Sequence, residues 1–264
     1  MKILRFAING KINYGVLEDD RVRVMVSTPY SHFRRSDSSL RLTDSIYKLK
    51  EVRLLAPCLP SKIVALGLNY RSHAEETKLE IPSVPLIFLK PSTAVVGPDD
   101  KIVYPEVSRR VDYEGELAVV IGKKAKAVDG ARAEEYILGY TCLNDVSARY
   151  EQRDDGQWTR AKSYDTFAPI GPYIETDISP NDLRIETYLN GELRQCARTS
   201  DLIFPVDMLV SFISGIMTLL PGDVIATGTP SGIGPMKPGD VVEVKIEGIG
   251  MLRNYVVEQS PKIK

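Results

Sequence analysis

The stretch VDYEGELAVVIG at 111–122 sets two carboxylates against an apolar strand. Strand side chains alternate faces, so Glu114 and Glu116 point the same way as Ala118 and Val120. Two carboxylates at the mouth of a buried strand repel each other and lose hydration. Either both face water at a solvated edge, or a proton, a lysine or arginine, or a divalent cation neutralises them. Asp145 adds a third carboxylate at the end of another β-type segment, YTCLN, within the run Asn144-Asp145-Val146-Ser147-Ala148-Arg149. Three carboxylates from two adjacent strands suit a hard cation with oxygen ligands, Mg2+ first and then Mn2+ or Ca2+. His32 and His73 are the only histidines, and Cys58, Cys142 and Cys196 form no CxxC pair. A histidine-built metal site, a zinc ribbon and a disulfide scaffold are therefore excluded.

Six ordered blocks carry a family resemblance: GLNYRSHAEE at 67–76, LIFLKP at 86–91, DYEGELAVVIG at 112–122, NDVSAR at 144–149, AKSYDTFAPIGP at 161–172 and TGTPSGIG at 227–234. Together they resemble the short form of the fumarylacetoacetate hydrolase family, over roughly residues 51 to 258. The resemblance implies a β-rich mixed fold, a homodimer, and Mg2+ or Mn2+ chemistry on small anionic 2-oxo or enol carboxylates. It assigns metal ligation to Glu114, Glu116 and Asp145. It also assigns acid–base work to His73, with Glu76 three residues on and on the same helix face. A carboxylate so placed fixes the imidazole tautomer and raises its basicity. Ser72 is the expected N-cap of that helix, with Glu75 as capping-box partner. Lys162, between Trp158 and Tyr164, is placed by the same resemblance beside the metal, where its charge would bind a carboxylate and stabilise an enolate. Gln152, Thr229 and Lys90 are the substrate-binding candidates. The TGTPSGIG loop lacks GK[ST] and does not fit GxGxxG, so it is no nucleotide loop.

These residues need a scaffold, and the remaining sequence supplies mostly strands. Residues 1–50 read as a small β-rich unit: KILRFAI, Asn9-Gly10 and KINYGVLE make a hairpin, and VRVMV follows as a third strand. Thr28 to Lys50 has few periodic cues, and Ser36–Ser39 reads as loop. Residues 51–264 read as the catalytic domain. Pro-Gly-Asp at 221–223 and 238–240 predicts turns feeding strands, and Asn190-Gly191 predicts a hairpin. Helices are expected at 205–220, behind Pro205, and at 131–138. The fold class is α+β, dominated by sheet.

Composition bounds the function classes. Thirty-four basic against 35 acidic residues leave a net charge of −1, which gives no footprint for nucleic acid or an anionic membrane. The opening MKILRFAINGKI has no signal-peptide core, and no apolar run of ~18 residues occurs, so a cytoplasmic location is expected. The leading expectation is a metal-dependent C–C hydrolase acting on acylpyruvates. A 2-hydroxyhepta-2,4-diene-1,7-dioate isomerase-like activity, or an oxaloacetate tautomerase or decarboxylase, would use the same platform. A catalytically silent binding protein is the third reading, and the retained His73, Glu76, Lys162 and carboxylates argue against it. The carboxylate cluster is expected to be a local excess of negative charge that only a metal makes tolerable.

Overall fold

Asn9 and Gly10 both take positive φ, 50° and 72°, and close Lys2–Ile8 and Lys11–Glu18 into the expected hairpin. Positive φ at both central residues matches the right-handed twist of the paired strands. Arg21–Met25 adds the third strand. The computed structural model describes residues 1–31, 33 and 40–259; the Ser36–Ser39 segment, read as loop, lies outside the described residues. Leu42–Lys48 is a fourth strand that the sequence does not announce, paired with Arg21–Met25 at the sheet edge. None of its residues is fully buried, so no apolar alternation marks it.

These strands continue into one large sheet. Lys2–Ile8 pairs with Ala168–Glu175, and the order then runs through Ile137–Asn144, Gly115–Ile121, Val224–Ala226, Lys62–Leu66 and Ile87–Pro91. Every residue of Gly115–Ile121 is buried, so this strand faces a separate core on each side. Leu117, Val119 and Ile121 enter the larger core, whereas Ala118 and Val120 enter the second. The larger core also takes Leu209, Val210 and Ile213 from the helix Val206–Ile216, and Ile185, Val244 and Ile246 from a five-stranded sheet. Fully burying a side chain such as Leu209 stabilises the fold by about 1.5–3 kcal/mol.

The expected helix at 205–220 spans Val206–Ile216, with Pro205 as its N-cap. It stops early because Met217 turns extended and Leu219 bridges to Ala125, so the apolar residues beyond the helix pack as straight chain. The helix expected at 131–138 is a run of 3-10 turns, Gly130–Tyr136, capped by Asp129. Ile137 leaves it for the central sheet. The Asn190-Gly191 hairpin and both Pro-Gly-Asp turns form as expected. Among the described residues, no helix is long and apolar enough to cross a membrane.

Candidate active site

The antiparallel register sets up the site. Gly115 pairs with Asn144, so Glu114 and Asp145 emerge side by side where the two central strands end. The Asp145 N–H donates to the Glu114 carbonyl at 2.8 Å, and the Glu114 N–H donates to Asn144 Oδ1 at 2.9 Å. Gly115 is required between the two glutamates, because a Cβ there would lie 2.1 Å from Thr187 Oγ1 of the five-stranded sheet. Glu114, Glu116 and Asp145 are all buried, and ligand oxygens from the three lie within 4.8 Å of one another. Glu116 does share its face with Ala118 and Val120, as strand alternation requires.

The expected excess of negative charge is corrected by the structure. Lys162 Nζ donates to Glu114 Oε2 and Asp145 Oδ2, both at 2.7 Å. Lys90, fully buried on the Ile87–Pro91 strand, donates to Asp145 Oδ1 and to the Val146 carbonyl. Arg149 Nη2 pairs with Glu114 Oε1, and its Nε reaches Asp112 Oδ2 at 2.9 Å. Three cations thus answer Glu114, Asp145 and Asp112, and Glu116 is left as the triad carboxylate they do not touch. Asp112 in turn holds Arg110 through two bonds of 2.8 and 3.0 Å.

The charges are not evenly shared. Burial pushes the Glu114 carboxyl up, but Arg149 and Lys162 outweigh it and hold the group well below the carboxylate range. Among the described residues, Glu116 has no such cation at contact. Burial, then the charges of Asp145 and Glu114, raise its carboxyl well above the usual range. Its Oε2 accepts from the Gly228 N–H at 2.8 Å, while buried Oε1 has no hydrogen-bond partner among the described residues. Burial lowers the Lys162 ammonium, yet the charges of Asp145 and Glu114 more than restore it. For Lys90 burial wins, and the ammonium is lowered.

This pattern fits a hard divalent cation. Oxygen ligands at about 2.1 Å from one ion stand no more than ~4.2 Å apart, so a small closure of the three carboxylates would suffice. The unpartnered Glu116 oxygen is the atom that gains most from such an ion. Glu114, Glu116 and Asp145 could therefore hold Mg2+ or Mn2+.

His73 lies on the helix Arg71–Thr77 and is buried. Its Nδ1 is 2.9 Å from Glu76 Oε2, and Glu76 Oε1 accepts the Gly232 N–H at 2.9 Å. A proton on Nδ1 donated to Glu76 leaves Nε2 with its lone pair. The expected cap is corrected: Tyr70 is the N-cap, and the carboxylate of Asp201 accepts the Ser72 N–H at 3.1 Å. Asp201 is distant in sequence and takes the part expected of a local Ser72–Glu75 box. Asn69 anchors the helix start by bonding Phe204 through both backbone groups and the Thr227 carbonyl.

These groups meet at a cleft of about 960 Å³. His73, Glu114, Gln152 and Lys162 line it, with Leu68, Leu79, Leu86, Phe88, Trp158 and Ile233 as apolar wall. Gln152 Oε1 accepts from Arg149 Nη1 at 2.8 Å. Glu116, Asp145 and Lys90 are buried and outside the lining, with Asp145 joined to it through Lys162. Thr229 is buried outside the lining; its hydroxyl donates to the Gly115 carbonyl and accepts from Gln195 Nε2.

Four further residues of the site stand outside the candidates named from the sequence. Arg149 sits in the NDVSAR block, Asn69 in the GLNYRSHAEE block and Asp112 two residues before Glu114, so these three had a local signal. Gln195 had none. Fully buried Gln195 accepts the Gly115 N–H at 3.0 Å and donates to Thr229 and the Pro230 carbonyl, both at 2.8 Å. It ties the metal-face strand to the 227–234 loop from a strand some 80 residues away in sequence.

Fold and site define a class: a β-rich α+β domain whose central strands end in a buried carboxylate triad, with lysine and arginine on two of its members, beside a His–Glu pair. The family model described as Fumarylacetoacetate (FAA) hydrolase C-terminal matches residues 62–257, and the Rv2993c-like, N-terminal model matches residues 1–57. The chain belongs to the fumarylacetoacetate hydrolase family, and it is an enzyme. It is similar to the 2-hydroxyhepta-2,4-diene-1,7-dioate isomerase of Mycobacterium marinum, with 45% identity and a TM-score of 0.90 over 99% of this chain and 100% of that one. The maleylpyruvate hydrolase of Sphingobium sp. SYK-6, in complex with manganese (II) ion and pyruvate, shows 31% identity and a TM-score of 0.82, covering 98% and 100%. The mitochondrial oxaloacetate tautomerase Fahd2a of Rattus norvegicus is 40% identical over 219 residues, 78% of this chain and 70% of that one.

Proposed function

We propose that this enzyme hydrolyses a C–C bond in small acylpyruvate-type 2-oxo or enol carboxylates with the help of Mg2+ or Mn2+. The observation that carries the proposal is the His73–Glu76 pair, buttressed by Gly232, with His73 lining the same cleft as Glu114 of the carboxylate triad. The similar hydrolase that holds manganese and pyruvate supports the same ion and product class. Glu114, Glu116 and Asp145 would hold the divalent cation, which when bound would supply Lewis-acid polarisation to the 2-oxo carboxylate. His73 Nε2 takes a proton from water, which attacks the distal carbonyl, and Glu76 stabilises the resulting imidazolium. The C–C bond breaks with its electron pair on the pyruvate fragment, the hydroxyl stays on the released acid, and His73 returns the proton to the pyruvate carbon. Lys162 offers its ammonium to the negative oxygens of the substrate.

A second reading, keto–enol tautomerisation or double-bond isomerisation, is supported by the likeness to an oxaloacetate tautomerase and a dienedioate isomerase. It uses His73 to move a proton and needs no attacking water. The test is a panel of acetylpyruvate, fumarylpyruvate, oxaloacetate and a hydroxydienoate with Mn2+ or EDTA. Hydrolysis of an acylpyruvate, abolished by EDTA and cut about 10²–10⁴-fold in His73→Ala, is the expected result. Tautomerisation of oxaloacetate without acylpyruvate hydrolysis would select the second reading, and turnover of none would sink both. We also propose the homodimer that the family resemblance implies, to be checked by light scattering.

A further inference from the structure

The helix Arg149–Asp155 presents more to the cleft than the residues that hold the triad. Residues four apart share a helix face, so Arg153 stands one turn beyond Arg149 on the side that carries Gln152. Arg149, Gln152 and Arg153 all line the cleft. The other cations of the lining are committed. Lys162 is held by Glu114 and Asp145, Arg149 by Glu114 and Asp112, and Arg110 by both oxygens of Asp112. Arg153 differs from all three. Its carboxylate contact is with the adjacent Asp154 at 2.7 Å, with both side chains more than half exposed. Its guanidinium rests 4.9 Å above the Tyr150 ring.

An exposed pair between neighbouring residues is screened by water and held weakly, so an incoming carboxylate can take the place of Asp154. The Tyr150 ring limits where the guanidinium can go without using its hydrogen-bond donors. A planar fork of N–H donors can hold a carboxylate through two parallel hydrogen bonds. Of the acids in the lining, Asp112 and Glu114 are held by Arg110, Arg149 and Lys162, and Glu80 is exposed. It does not shield Arg153 at contact.

We propose that Arg153 is the specificity-determining residue for a second, distal carboxylate, so that the cleft prefers 2-oxo dicarboxylates to monocarboxylates of the same length. The inference rests on the reading that the 2-oxo carboxylate end sits at the triad, with the chain running along the helix toward Arg153. A charge-assisted, paired contact of this kind is worth about tenfold or more in affinity.

The test is a binding measurement on full-length protein with Mn2+, read from the fluorescence of Trp158. Trp158 is the single tryptophan of the chain and lines the cleft. The ligands are 2-oxoglutarate and 2-oxopentanoate, which differ by the distal carboxylate and carry no acylpyruvate bond to cleave. Wild-type protein is expected to favour 2-oxoglutarate about tenfold. Arg153→Gln should erase that preference while leaving 2-oxopentanoate unchanged within twofold, and Arg153→Lys should recover part of it. No preference in wild-type protein, a preference that survives in Arg153→Gln, or equal weakening of both ligands would overturn the proposal. Because neither ligand reacts, a failure of the hydrolase reading in the substrate panel stays separate from a failure here.

Discussion

Glu116→Gln should separate the two electrostatic demands of the triad. The substitution keeps shape and volume but removes the carboxylate that lacks a cation at contact. Its amide oxygen can still accept the Gly228 N–H, and its NH2 group can donate where Glu116 Oε1 now has no partner. Without a divalent ion, the variant no longer sets a third carboxylate against Glu114 and Asp145. It should therefore be at least as stable as wild type, by up to about 1–3 kcal/mol. With the ion the order reverses. A ligand present at a hundred times its Kd stabilises the native state by about 2.7 kcal/mol. At about 2–4 °C per kcal/mol for a chain of this size, wild type should gain roughly 5–10 °C in Tm. Glu116→Gln should gain less than about 2 °C, since a neutral amide is a poor ligand for a hard cation. Differential scanning calorimetry in EDTA and in excess Mn2+ gives all four numbers. A variant that keeps the full Mn2+ increment, or that melts well below wild type in EDTA, would refute the reasoning. Glu114→Gln provides the contrast. It strips a partner from Arg149 and Lys162 and should cost about 3–5 kcal/mol even without the ion.

Three further predictions follow from the packing. Gln195→Leu deprives the Gly115 N–H and the Thr229 hydroxyl of their buried partner; a loss of about 2–4 kcal/mol in urea unfolding, with weakened Mn2+ binding, is expected, and unchanged Mn2+ affinity would remove Gln195 from the support of the site. Thiol titration should label one cysteine in native protein and three after denaturation, because Cys196 is exposed whereas burial pushes the Cys58 and Cys142 thiols up to about 12. Burial raises the Asp223 carboxyl, but hydrogen bonds from the Leu220 N–H, Lys62 and Ser61 outweigh it and hold the group below its ordinary value. Its folded pKa is depressed, so its contribution is present above the unfolded value near 4 and lost as pH falls through the folded one. The stability gap between wild type and Asp223→Asn should therefore be constant near neutrality and narrow below about pH 4, as urea melts at several pH values would reveal.

Much of this protein is legible in its sequence because the relevant physics is local. Turn chemistry at Asn9-Gly10 and Asn190-Gly191, and the two-residue period that puts Glu116 with Ala118 and Val120, depend on residues a few positions apart. Elements failed to show where long-range contacts overrode local preference. Leu42–Lys48 is a strand because Arg21–Met25 offers it an edge, and Met217–Leu219 leaves its helix because Ala125 takes Leu219 into a bridge.

The site divides along the same line. The sequence alone supplied three carboxylates, a His–Glu pair and a lysine, and with them an oxygen-rich metal chemistry. Only the tertiary structure decided how their charges balance. Lys90, a substrate-binding candidate in the sequence, is fully buried against Asp145, and Arg149 and Lys162 add the charges that answer Glu114 and Asp145. Only the fold, too, let Asp201 cap the His73 helix and Gln195 brace the Glu114–Glu116 strand. The reason is physical. Desolvation and Coulomb attraction depend on distances across the folded core, and sequence separation does not record those distances.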